Sequence, residues 1–361
     1  MSNNTFSKVG SIIFRPDDMP APGPYYTTLI DMKNIETFPF DYAMYFSTDH
    51  NSKDGGIWLY VCNGVPSEAK SWKSYDDVLG EGAFDHIAIK PLSNPIYFDN
   101  VQGDGHTETP HANVVDGKVF LSYHKNGIGP SQATLLATSD DGISFSRING
   151  DEDSVILKYN PDEDPGDGHT GYFRWSKNPF SGIENKYIGY SLHGGGNDYY
   201  SALWGSDDAI NWKRLHVLEP IEGQSVEEDR MIIWHELDPN SIRVLDDGGY
   251  AAICGVGNRA SGGMARFVEL YEIYLADDGV TLTHQSKNVL ARGSMDDNDS
   301  EELASPSSIL IDEKYHLVYV GAKDGGTSNT VMSAIGTINM DSKNRVELNH
   351  TDQKKHIYGN S

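Results

Sequence analysis

Short apolar runs that alternate with polar residues and end in Gly, Pro, Asp or Asn dominate the chain, and stretches of helical period are nearly absent. Such a pattern predicts strands joined by tight turns. Its clearest instance is the stretch 103–124, GDGHTETPHANVVDGKVFLSYH, where the runs 112–115 and 119–123 flank Asp116-Gly117. An Asp-Gly pair between two such runs predicts a two-residue hairpin.

The hairpin recurs along the chain. Strands centred on Tyr45, Tyr123, Tyr190, Ile253 and Tyr319 stand 78, 67, 63 and 66 residues apart. In each unit a first strand follows Pro or Gly, at 26–30, 111–115, 172–175, 240–245 and 307–311. After the centred strand and a Gly-rich loop comes a third, at 57–62, 133–138, 201–204, 268–275 and 330–336. Acidic turns beginning at Ser139, Ser206 and Ala276 lead into outer strands and read as caps, closed by bonds from side chain to backbone. Four antiparallel strands repeated five times predict an all-β chain, a five-bladed β-propeller. It is expected as one domain over 1–361, with blades near 25–98, 99–150, 151–216, 217–286 and 287–345. A terminal strand, 11–14 or 356–358, should complete the last blade and remove an open edge.

Charge narrows the partners. With 28 Lys and Arg against 53 Asp and Glu the net charge is −25, a field that repels nucleic acid and anionic membrane surfaces. No run reaches the roughly 18 apolar residues of a membrane-spanning helix. The first thirty residues lack the basic start and apolar core of a secretory signal, so a cytoplasmic location is expected, or secretion if a leader preceded them. Cys62 and Cys254 lie in apolar runs and read as buried free thiols. Neither an organic cofactor nor a short metal-ligand spacing is legible, and the oligomeric state is not either.

In a propeller the loops ahead of the first strands converge on one end of the axis. Those positions hold Arg15, Asp17 and Asp18; His106, Glu108 and His111; Asp167 and His169; His235, Glu236 and Asp238; and Glu301, Glu302 and Ser305. Clustered carboxylates repel one another unless a ligand, proton or cation occupies them, which points to a site. Blander readings stand beside this one. Glu108 at the start of a strand could bind backbone N–H groups, and Asp238-Pro239 is an ordinary turn starter. His235 and Glu236 are adjacent and should point apart in an extended segment, so one of them is expected at the site. His106 and His169 share an Asp-Gly-His-Thr tetrapeptide, suggesting equivalent loops. With His111 and His235 they could hold a metal, although Ca²⁺ or a water in the axial channel fits the scattered spacing better. Arg174, Trp175, Tyr199, Tyr200 and Trp234 could supply the cation and aromatic platforms of a sugar site.

Glu108-Thr109-Pro110-His111 resembles the Glu-Gly-Pro-His segment of the five-bladed glycoside hydrolases of family 43, whose Glu is the general acid. Asp238-Pro239-Asn240 is similar to the Asp-Pro-Asn segment of the related invertase and levansucrase families, whose Asp is the nucleophile. Ala304-Ser305-Pro306-Ser307 before a strand is also typical of these propellers. The chain departs from family 43 in carrying Gly23-Pro24 where that family has its base, and in placing Glu108 in the second blade. The resemblance implies a glycoside hydrolase acting on an oligo- or polysaccharide. Glu108 would be the acid, and Asp238 or Glu236 its partner across the ring at roughly 6.5–9.5 Å if a water is activated between them. His106, His111, His169, His235, Asp18, Arg174 and Trp234 would bind substrate. Two alternatives remain: a lyase using His and Tyr with Arg on a uronate-containing glycan, and a glycan-binding propeller without catalysis. An Arg-lined pocket with His169 or His235 opposite a Tyr would favour the lyase.

Overall fold

The computed structural model describes residues 6–20, 23–48, 55–100, 107–128, 131–149, 154–157, 159–160, 169–194, 200–218, 230–258, 266–295, 297–323, 328–338 and 345. Nearly all the regular structure they form is strand. After β1 (Phe6–Phe14), the first meander comprises β2 (Tyr25–Asp31), β3 (Tyr42–Ser47), β4 (Trp58–Cys62) and β5 (Trp72–Ser74). A six-residue helix, α1 (Tyr75–Gly80), follows, capped by Ser74 Oγ on Asp77 N. The second meander is β6 (Glu108–Val115), β7 (Lys118–Ile128) and β8 (Ser131–Ser139), with the short β9 (Ser146–Arg147) and β10 (Val155–Leu157) both on β8. The third is β11 (His169–Lys177), β12 (Tyr187–Gly194), β13 (Tyr200–Ser206) and β14 (Trp212–Leu218). The fourth is β15 (Arg230–Val244), β16 (Tyr250–Asn258), β17 (Arg266–Leu275) and β18 (Leu282–Leu290). The fifth is β19 (Glu302–Ile311), β20 (Lys314–Lys323) and β21 (Ser328–Gly336), and β1 pairs antiparallel with β21 as its outer strand. The N-terminal run thus completes the last meander as expected; 356–358 lie outside the described residues.

The first strands of the meanders pack side by side in cyclic order, β2 on β6, β6 on β11, β11 on β15, β15 on β19 and β19 back on β2. The apolar core lies in slabs between neighbouring meanders. Tyr45 and Leu59 meet Leu121 and Leu135 between the first and second, and Tyr190 and Leu203 meet Trp234 and Cys254 between the third and fourth. Leu29 and Phe46 meet Val318 and Val331 where the fifth meets the first. Both cysteines are buried free thiols. No helix of the described residues is long and apolar enough to cross a membrane.

Acidic turns lock these slabs. Asp141, Asp208 and Asp278 each accept two backbone N–H bonds through Oδ1, from the residues two and three positions on. That is the capping role expected of them. Two of the turns also receive a phenol from the preceding meander: Tyr45 donates to Gly142 O at 2.8 Å and Tyr190 to Gly279 O at 2.7 Å. Both rings are fully buried, so Tyr190→Phe strands a buried carbonyl. Urea unfolding of that variant should show a loss of about 1–3 kcal/mol.

Two expectations change. Val155–Leu157, assigned above to the third unit, pair with β8 and belong to the second. The first strands also begin earlier than the apolar runs do, at Tyr25, Glu108, His169, Arg230 and Glu302. The added residues include Glu108, His169, His235 and Glu236.

Candidate active site

One backbone irregularity recurs at the head of four first strands. Pairing slips by one residue between Tyr25 and Thr28, Glu108 and His111, Gly171 and Arg174, and Ala304 and Ser307. Within each slip a non-glycine residue has positive φ: Tyr26 (50°), Thr109 (48°), Tyr172 (54°) and Ser305 (53°). A β-bulge with a left-handed residue re-aims the side chains around it, at a cost of about 1–3 kcal/mol each. Strain repeated at one level of the ring is the mark of a built site. In β15 the irregularity is longer, running from Ile232 to Leu237, and it carries His235 and Glu236.

The bulges gather a wall of rings and acids. Glu108, 1% exposed, faces its cross-strand partner His124, with Oε1 3.3 Å from Nδ1. His124 packs on His169 (centroids 4.8 Å apart), His169 stacks on Tyr172 (5.6 Å), and Tyr172 meets His235 edge-on (5.7 Å). Tyr26 closes on Tyr172 at 4.9 Å and Tyr25 on Tyr26 at 4.3 Å. The Glu108–His124 pair is held from both sides by Asp99. Tyr123, next to His124, donates to Asp99 Oδ2 at 2.5 Å, and Asp99 N donates to Thr107 Oγ1 at 3.1 Å, next to Glu108. Arg147 neutralises Asp99 with a two-pronged contact at 2.9 and 3.0 Å.

His235 and Glu236 do point apart, yet both stay buried, because each leans on a different neighbour. His235 Nδ1 lies 3.2 Å from Ser201 Oγ in the third meander, and Glu236 Oε2 accepts from Ser305 N in the fifth at 2.5 Å. Burial raises the proton affinity of Glu236 against the opposing pull of Arg174 and the Ser305 N–H. Arg174, itself buried, donates to Pro306 O at 2.5 Å and lies within electrostatic reach of His111, His235, Glu236 and Asp238. Burial, with Arg174 adding to it, pushes His111 and His235 down to about 3, so both imidazoles are neutral at physiological pH.

Asp238 sits deeper. Its Oδ2 accepts from Ser308 Oγ at 2.5 Å and its Oδ1 from Asn240 N at 3.1 Å. Burial raises it to about 6, against the Ser308 bond and Arg174. A carboxylate whose folded pKa lies above its unfolded value weakens the fold above the folded pKa and not below the unfolded one. Asp238→Asn should therefore gain stability relative to the parent between pH 4 and pH 7, by at most about 3 kcal/mol. Unfolding curves at the two pH values check this.

Of the residues expected at the site, the structure brings Glu108, His169, His235, Glu236 and Arg174 to the axial wall. His111 is buried below it, donating from Nε2 to Trp175 O at 2.7 Å. Trp234 is corrected: it lies in the slab between the third and fourth meanders, stacked on Tyr190 at 6.1 Å, so its indole packs the core rather than the axial wall. Asp18 is corrected too. It is exposed on the turn after β1, within electrostatic reach of Tyr60 on β4, so it faces the outer part of the first meander. Trp175 likewise belongs to a slab, between the second and third meanders. His106, Asp167 and Tyr199 lie outside the described residues. His124, Tyr26 and Tyr172 were not anticipated. Counting back from the Asp-Gly turn places His124 within one residue of facing Glu108, so that signal was present. His193, also unanticipated, stacks on Tyr200 (5.5 Å) and Trp204 (5.3 Å). Among the described residues no three His, Cys, Asp or Glu side chains are grouped as metal ligands.

No family model and no curated protein matches the sequence. Solved structures do match its fold. One is an N-acetylgalactosamine deacetylase from F. plautii in complex with blood group B trisaccharide, at TM-score 0.56 and 12% identity, covering 92% of this chain and 96% of that one. A thermostable family-43 glycoside hydrolase aligns at TM-score 0.52 and 11% identity over 95% and 100% of the two chains. An endo-arabinase from Bacteroides thetaiotaomicron aligns at 0.52 and 12% over 93% and 99%. The chain shares the fold of these carbohydrate-active proteins along nearly its whole length.

Proposed function

We propose that the protein is a single-domain, five-bladed β-propeller, four strands to a blade, that hydrolyses glycosidic bonds of an oligo- or polysaccharide in its axial site. The observation that carries this reading is the pair Glu108 and Glu236. They are buried carboxylates on the first strands of non-adjacent meanders, at the level of the repeated bulge. Glycosidic cleavage needs two carboxyl groups in different protonation states, set by different surroundings. Glu236, whose proton affinity burial raises, is the group that protonates the leaving oxygen. Glu108, whose Oε1 lies 3.3 Å from His124 Nδ1, takes the proton of the attacking water. This reverses the role that the motif resemblance implies for Glu108. It also moves the partner role from Asp238, whose two oxygens are already hydrogen-bonded, to Glu236. The deacetylase and arabinase with the same fold act on sugars.

A second reading is favoured by a specific arrangement. Tyr172 stands between His169 and His235, at 5.6 and 5.7 Å, two residues ahead of Arg174 on the same strand. A lyase would use such a Tyr or His to remove a proton beside a uronate carboxylate neutralised by the cation. Incubation with a panel of neutral and acidic polysaccharides separates the readings. New reducing ends without ultraviolet absorbance from an unsaturated product support hydrolysis, and both signals together support the lyase. Neither signal on any glycan, with binding retained, leaves a glycan-binding propeller.

A further inference from the structure

At the far end of the axis, the C-terminal ends of β6, β11 and β15 enclose a cleft of about 360 Å³. This is within the range of small-molecule sites, roughly 300–1,000 Å³. We propose that it binds one ring of an acidic saccharide, separately from the axial site. Its walls include Asn113, Lys177, Tyr187, Pro239, Asn240 and Arg243. No Asp or Glu lines it, in a chain whose net charge is −25.

Lys177 and Arg243 are thus the charged residues of its lining. Among the described residues neither Lys177 nor Arg243 forms an ion pair with a carboxylate. Arg243 is fixed in place, with Nη1 donating to Asn240 O at 3.1 Å and Ile242 O at 2.7 Å and the guanidinium 5.2 Å over the Tyr315 ring. Lys177 is exposed at the end of β11 and free to reach a bound anion. Asn113 commits its amide N–H to Trp175 O at 2.6 Å, which leaves its Oδ1 as an acceptor for a hydroxyl. Half-buried Tyr187 supplies flat apolar surface beside the buried Pro239. Asp116 lies within electrostatic reach of the Tyr187 phenol and raises its pKa after burial does, so the rim nearest Asp116 is where the ligand presents hydroxyls rather than its carboxylate. A cation pair, an amide acceptor and an apolar wall together match a pyranose bearing a carboxylate better than a bare phosphate, which has no use for the apolar wall.

The inference stands whether or not the axial site is hydrolytic. Calorimetric titration with glucuronate, glucose and inorganic phosphate tests it on the parent protein, Lys177→Ala and Glu108→Gln. Saturable glucuronate binding is expected, with glucose and phosphate at least about tenfold weaker. Lys177→Ala should weaken glucuronate roughly tenfold, and Glu108→Gln should leave it unchanged. The exposed lysine can be removed without threat to the fold. Three results would overturn the proposal: no saturable glucuronate binding, parental affinity in Lys177→Ala, or phosphate or glucose binding as tightly as glucuronate. Loss of binding in Glu108→Gln would also overturn it, by moving the ligand to the axial site.

Discussion

Glu108→Gln is expected to lower turnover by roughly 10²–10⁴-fold, the usual contribution of one acid–base group, with little change in unfolding temperature. Gln keeps the volume of Glu at a position 1% exposed, so it fills the same space beside His124. The loss should be as large on an aryl glycoside with a good leaving group as on the natural polymer, because activating water is needed in both cases. Glu236→Gln should behave differently. If Glu236 protonates the leaving oxygen, a leaving group that departs without a proton restores most of the lost rate. Rescue of Glu108→Gln and not of Glu236→Gln would exchange the two roles. Full activity in both variants would remove the carboxylate pair and turn attention to Tyr172→Phe.

Arg174→Met is expected to cost about 3–5 kcal/mol at neutral pH, the penalty for leaving buried charges without their counter-ion. Its guanidinium opposes the upward shift of Glu236 and Asp238, and deepens the downward shift of His111 and His235. The signs agree. Without the cation the two carboxyls move further above their unfolded values, which destabilises the fold at high pH and not at low pH. The two imidazoles move back towards their ordinary value, which relieves a penalty felt only when the unfolded chain would bind their protons, below about pH 6.5. All four groups therefore make the deficit of Arg174→Met shrink as pH falls from 7 to 4. Urea unfolding at both pH values measures it, and an equal deficit at each would show that Arg174 acts through packing alone.

Much of this architecture was legible residue by residue. The Asp-Gly hairpin at Asp116, the acidic turns at Asp141, Asp208 and Asp278, and the repeat of aromatic middle strands all rest on local chemistry. That is why they could be read without knowing what lay across a sheet. The heads of the first strands were not legible in the same way. Glu108 and His169 were read as loop residues because the apolar alternation that marks a strand begins only after the bulge. Trp234 shows the other limit. Beside His235 and Glu236 it looks like a sugar platform, but a shift of one residue in a strand reverses which side a residue faces, and the long irregularity in β15 sends the indole into the slab against Tyr190.

The sequence by itself determined that the chain is all-β, that its strands come in repeated antiparallel meanders, and that ionisable residues gather at the start of each repeat. Those properties follow from alternation and turn residues within a few positions of one another. Only the tertiary structure decided which of the ionisable residues meet. The arc through His169, Tyr172 and His235, and the placing of Arg174 within reach of both Glu236 and His111, depend on bulges and on ring closure. These join residues more than 60 positions apart, such as Glu236 and Ser305, and no local pattern carries that information.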